Sequence, residues 1–248
     1  MRVQLLSDLH IEFREYQYQD IGCDVVVLAG DIHTKDRGFK WALENIKNRP
    51  VIYVLGNHEF YGETYPKLIS KLKRDAKGTN IHILENDVVR VGDVNFFGST
   101  MWTDFELFGD SKNAMSYSWR IMSDYKKIRK MPNYSKICPL DIAIINKKTT
   151  TWLSKELKAR SSEKNVVVTH HAPTPLSAPK HLREELIMEA YISDMREFIL
   201  EHNPDYWLHG HLHYSANYKI GNTQIISNPR GYPDEFDSRH NPILYFEI

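Results

Sequence analysis

Leu208–His213 reads LHGHLH, three histidines in six residues. It closes a series in which Val/Ile/Leu-rich runs end in polar residues. Asp8 and His10 follow RVQLL, Gly30-Asp31 follows DVVVLA, and Gly56-Asn57-His58-Glu59 follows VIYVL. His170 and His171 follow NVVVT, and His211 and His213 follow YWLHG. In an open α/β sheet the carboxyl ends of strands are where ligands bind. Five such ends would gather Asp8, His10, Asp31, Asn57, His170, His211 and His213. Two divalent ions about 3.5–4 Å apart need terminal oxygen and nitrogen ligands and one bridging carboxylate, which Asp supplies with its two oxygens. Imidazole nitrogen suits Mn, Fe, Zn, Co or Ni, and no thiolate is present to favour Cu(I) or a cluster.

A lone DxH, or a Gly-Asp after a strand, says little. GNHE is more specific, because Asn-His in a turn has little packing purpose. GHLH is more specific still, since alternate histidines on a strand end share a side and would repel if charged. Glycine before Asp31, Asn57 and His211 lets the backbone turn sharply. Of the 12 histidines, His82, His181, His202 and His240 read as surface residues.

The elements that must position these groups alternate strand with helix. The apolar runs have the length of strands buried on both faces, and FKWALENIKN and YPKLISKLKRDAK between them have helical spacing. That alternation predicts an α/β fold with a largely parallel sheet. DVVRVGDVNFFGST and ANYKIGNTQIIS place Gly-Asp or Gly-Asn between β-rich runs, a hairpin signature, and PILYFEI predicts a last strand. The 248 residues suit one domain over 1–248. Lys plus Arg equals Asp plus Glu at 32 each, so no global field draws the chain to nucleic acid or an anionic membrane. Cys23 and Cys138 are too few for a disulfide framework. Without an apolar run of membrane-spanning length or a signal-peptide pattern, a cytoplasmic location is expected.

The ordered series Asp-x-His, Gly-Asp, Gly-Asn-His-Glu, His, Gly-His-x-His resembles the calcineurin-like metallophosphoesterase superfamily, over residues 8–213. The resemblance implies an α/β fold in which a two-sheet β-sandwich is flanked by helices, in four layers. It implies that one metal takes Asp8, His10 and His213, the other takes Asn57, His170 and His211, and Asp31 bridges. His58 would face the substrate phosphate and assist the leaving group, while a metal-bridging hydroxide attacks phosphorus in line. Two divalent transition-metal ions are the implied cofactor, with Mn the first expectation. His209 matches no ligand and is expected to support the strand end. In Ser/Thr phosphatases the Gly-Asp motif has an Asp three residues on, but GDIHTKDRG has Thr34 there. Asp36 and Arg37 are therefore not carried over as catalytic.

Residues 101–140 break the strand–helix rhythm and read either as a peripheral helical layer or as a cap over the site. Trp102, Phe105, Tyr125 and Arg129 are candidate contacts to a base or leaving group. His171, beside the ligand set, is a candidate to face substrate. Arg230, in the turn SNPRGYPDEF, is a candidate phosphate clamp, with Tyr125, Lys126 and Arg129 of the same kind. The expected activity is hydrolysis of a small phosphomonoester, phosphodiester or nucleotide. A nuclease, drawing on the basic run YKKIRK, and a non-catalytic metal-bound scaffold are the alternatives.

Overall fold

The computed structural model describes residues 1–235 and 239–248. Its first sheet holds β1 (Arg2–Leu6), β2 (Val25–Ala29), β3 (Val51–Val54) and β5 (Ile81–Leu84), all parallel. β14 (Tyr245–Glu247) runs antiparallel beside β1, so only the end of PILYFEI pairs. The second sheet holds β7 (Val94–Ser99), β10 (Lys164–Thr169), β11 (Tyr206–His209) and β13 (Thr223–Ser227), also parallel. Its edges are the antiparallel strands β6 (Asp87–Val91) and β12 (Ala216–Ile220). These edges form the two expected hairpins, turning at Gly92-Asp93 and Gly221-Asn222.

Side chains alternate along each strand, and the alternation explains the layers. Val25, Val27 and Ala29 of β2 meet Val166 and Val168 of β10 in the core between the sheets. Val26 and Leu28 face the other way, against Phe39 and Ala42 of α1 (Arg37–Asn45) and Leu68 and Leu72 of α2 (Lys67–Asp75). Val167 and Trp207 turn outward from the second sheet, onto Leu153 and Leu157 of α5 (Pro139–Ala159) and Ile199 of α6 (Arg196–His202). The result is helix, sheet, sheet, helix: a two-sheet β-sandwich flanked by helices.

The 101–140 excursion contains α3 (Ser111–Ile121), α4 (Asp124–Lys127), β8 (Arg129–Lys130) and β9 (Ser135–Lys136). It joins β4 (Thr64–Tyr65) in a small third sheet. Trp102, Phe105 and Tyr125 are buried within the core under the first sheet. Cys23 and Cys138 are both free thiols. His181 is exposed as expected, whereas His82, His202 and His240 are half-buried. His240 in particular is packed, with Nδ1 on the Asn228 carbonyl and Nε2 on the Tyr16 hydroxyl.

Candidate metal centre

The loops leaving β1, β2 and β3 of one sheet meet the loops leaving β10 and β11 of the other. The backbone there is strained. Asp8, His10, Asp31, His211 and His213 all have positive φ, from 44° to 71°, a conformation costing roughly 1–2 kcal/mol for a residue with a Cβ. Such strain persists only where surrounding contacts over-determine it. Two glycines are required by close approach. A Cβ on Gly56 would lie 2.1 Å from Asp31 Oδ1, and one on Gly30 would lie 2.3 Å from His170 Nδ1.

Buried carboxylates hold the loops. Glu59 accepts from the amides of Asp31 (3.0 Å), Ile32 (2.8 Å) and Gly56 (2.7 Å) and from the Tyr53 hydroxyl (2.9 Å). Burial, with the Asp31 charge beside it, pushes the Glu59 carboxyl up to about 7. Asp8 Oδ1 accepts from the His211 amide (2.9 Å), so the first strand's loop orders the last one.

All seven residues expected as ligands are brought together. Asp8, His10 and His213 form one group of converging ligand atoms, and Asp31, His170 and His211 another. His170 Nδ1 donates to the Ala29 carbonyl (2.9 Å), which turns Nε2 toward the centre. That nitrogen faces Asn57 Oδ1 at 3.1 Å, and Asn57 spends its amide hydrogens on Asp124 Oδ1 (2.9 Å). His10 Nδ1 pairs with Glu12 and His213 Nδ1 with Glu235. Their two Nε2 atoms then converge to 3.1 Å. Asp8 Oδ2 is buried without a hydrogen-bond partner. Imidazole nitrogens and carboxylate oxygens converging this closely are a donor set for cations, and the carbonyl and carboxylate partners behind the imidazoles are what metal-binding histidines use.

Asp31 Oδ2 lies 3.5 Å from His170 Nε2 and 3.8 Å from His10 Nε2, so one oxygen faces both groups. Its other oxygen accepts from the His58 amide (2.8 Å). Burial opposes ionisation of Asp31, but His170 and His58 outweigh it and hold the carboxyl well below its usual range.

His58 lines a cavity of about 300 Å³ together with Tyr61, Tyr191, Tyr232 and the Ile121–Ser123 turn between α3 and α4 of the excursion. Its Nδ1 meets Glu12 Oε1 at 2.9 Å and its Nε2 meets the Tyr232 hydroxyl at 3.1 Å. Glu12, Asp124, Tyr232 and Glu235 had no motif to mark them, although Glu12 follows His10 by two residues and Tyr232 follows Arg230 by two.

The residues expected at substrate lie elsewhere. His171 is buried, its Nδ1 on the Thr100 carbonyl (3.2 Å) and its ring between Trp102 and His211. Burial, with His170 beside it, pushes its pKa down to about 3, so it is a neutral packing residue. Trp102 is 1% exposed and cannot stack on a ligand. Arg129 is exposed and reaches the Tyr134 carbonyl. Arg230 donates to the carbonyls of Leu9, Arg14 and Glu15 at 2.7–2.9 Å, which uses the fork a phosphate would need. His209 supports its strand end as expected, bonding Ser177 Oγ (2.8 Å) and the Gly210 carbonyl (3.0 Å). Asp36 pairs with Lys40 and Lys71, away from the centre.

Known proteins share this arrangement of elements. The chain is 27% identical, over 281 aligned positions, to the uncharacterized protein L509 of Acanthamoeba polyphaga mimivirus, covering 100% of this chain and 97% of that one. The phosphopantetheinyl hydrolase of Mycobacterium tuberculosis superposes with a TM-score of 0.76 at 16% identity, over 99% of this chain and 95% of that one. A putative 5'-nucleotidase of Staphylococcus aureus gives 0.53 at 15% identity, over 93% of this chain and 48% of that one. The calcineurin-like phosphoesterase profile matches residues 1–215, and with its histidines and aspartates converging at the sheet ends the chain belongs to that family.

Proposed function

We propose that residues 1–248 form one catalytic unit, a dinuclear-metal phosphoesterase in which the 101–140 excursion walls the substrate cavity. The convergence of His10 and His213, with Nε2 atoms 3.1 Å apart beside Asp8 and Asp31, carries this reading. Asp8, His10 and His213 would hold one divalent ion and Asn57, His170 and His211 the other, with Asp31 Oδ2 shared. Bound there, two such ions supply charge to polarise a phosphate and lower the pKa of water toward neutrality. His58 presents Nε2 to the cavity, and as the imidazolium that Asp31 and Glu12 favour against burial it can give its Nε2 proton to a departing oxygen.

The cavity also speaks to the substrate. Ile121, Met122, Tyr191, Leu212 and Tyr232 line it, with no Lys or Arg among the described lining residues. A phosphoester with an uncharged, partly apolar arm fits that wall better than a polyphosphate does. A phosphopantetheinyl ester, the group named for the Mycobacterium hydrolase, is one such substrate to assay. The nuclease alternative loses Trp102 as a stacking platform, because that ring is in the core.

Hydrolysis of p-nitrophenyl phosphate and bis(p-nitrophenyl) phosphate tests the reading. Activity should vanish with EDTA and return with Mn, and the preferred ester separates monoesterase from diesterase. Full activity in protein shown to be metal-free would overturn it.

A further inference from the structure

We propose that Glu12 is the positioning residue for His58, and that it orients His10 through the same oxygen. Its catalytic consequence rests on the phosphoesterase reading above; its geometry does not. Glu12 Oε1 receives His58 Nδ1 at 2.9 Å and His10 Nδ1 at 3.1 Å, with the carboxylate 11% exposed. Because both rings commit Nδ1 to one oxygen, both must send Nε2 the other way. His10 Nε2 then faces His213 and Asp31, while His58 Nε2 faces the cavity and the Tyr232 hydroxyl. A hydrogen bond at one imidazole nitrogen sets the tautomer and the ring orientation at the other.

Asp31 Oδ2 reaches His58 only at Nε2, at 4.0 Å, and the other neighbouring carboxylates are occupied elsewhere. Asp124 holds Asn57 and Tyr61, Glu235 holds His213, and Asp36 pairs with two lysines. Thr34 bonds His33. The loop bearing Glu12 is fixed from both sides. Ile11 donates its amide to the Ile32 carbonyl (3.1 Å), and Arg230 clasps the carbonyls of Leu9, Arg14 and Glu15. Tyr61 closes the remaining face of His58, with ring centroids 4.3 Å apart. Arg230 therefore acts at a distance from the cavity, by holding the loop that carries the carboxylate on the imidazole.

Wild type, Glu12→Gln and Glu12→Ala are compared at saturating Mn, with metal content measured for each. An alkyl phosphate ester, whose leaving oxygen needs a proton, is set against a p-nitrophenyl ester, whose leaving group needs little. Glu12→Ala should lower kcat for the alkyl ester by about 10²-fold, the scale of a misplaced catalytic group, and for the aryl ester by about tenfold or less. Glu12→Gln keeps the shape and an acceptor oxygen, so it should recover part of the loss. Nitrogen-15 NMR of the metal-free protein, at a pH where the rings are neutral, should find the His58 proton on Nδ1 in wild type and shifted toward Nε2 in Glu12→Ala. Equal losses for both esters at full metal loading, or an unmoved His58 proton, would overturn the proposal. If wild type cleaves neither ester, the phosphoesterase reading has failed, and the NMR result still decides for or against Glu12.

Discussion

The strand-end loops and the 101–140 excursion both hold side chains on left-handed backbone, and they use it for opposite ends. Asp8, His10, Asp31, His211 and His213 spend that strain to point acceptors at one another in a polar centre. Met101, Trp102 and Phe105, with φ of 69°, 56° and 61°, spend theirs to drive apolar side chains into the core. Strain alone therefore does not mark a functional residue; what converges at its end does. The two regions touch at Asp124, whose carboxylate leaves the excursion to fix the Asn57 amide and the Tyr61 hydroxyl.

Substitutions can break or sharpen this contrast. Asp31→Asn removes charge from the oxygen both groups share, so it should cause the largest loss. Metal analysis should fall from about two ions per chain, with activity falling alongside; retention of both ions would break the contrast at its centre. His58→Ala should lower kcat by roughly 10²–10⁴-fold with metal content intact, and less for p-nitrophenolate than for an alkoxide. Asp124→Ala tests the bridge between regions. It frees the Asn57 amide and should weaken metal binding by about 10–100-fold, read by titration against a chelator. Trp102→Ala should lower stability by about 3–5 kcal/mol in denaturant melts, yet leave the ratio of kcat/KM between a nucleotide and p-nitrophenyl phosphate unchanged. Arg129→Ala should move stability by no more than about 0.5 kcal/mol and leave that ratio alone; a shift from either would return that residue to substrate recognition.

Residue type and order made the first region readable. Each ligand-like residue follows a buried strand, and parallel strands must end on the same side, so position along the chain predicted position in space. Trp102 and Arg230 lacked such a rule. An aromatic in a segment without periodicity gives no sign of which way it faces, and a turn arginine looks the same whether its fork meets a phosphate or three carbonyls. Glu12 and Asp124 were invisible for a related reason: a carboxylate supporting an imidazole or an amide needs no fixed spacing from it. Helix α5 was legible in principle, since buried Ile142, Ile145, Thr149, Leu153 and Leu157 recur at three- and four-residue steps.

Asp8, His10 and Asn57 belong to the first sheet's loops, whereas His170, His211 and His213 belong to the second's. Each ion of the proposed pair would thus be gripped from both sheets at once and act as a staple across the seam of the sandwich. Occupancy then links to cohesion. An ion at a hundredfold its dissociation constant stabilises a site that the unfolded chain lacks by about 2.7 kcal/mol. A chelator should therefore lower the melting temperature as well as the rate. Under metal starvation the protein would become easier to proteolyse at the same moment that it ceased to turn over.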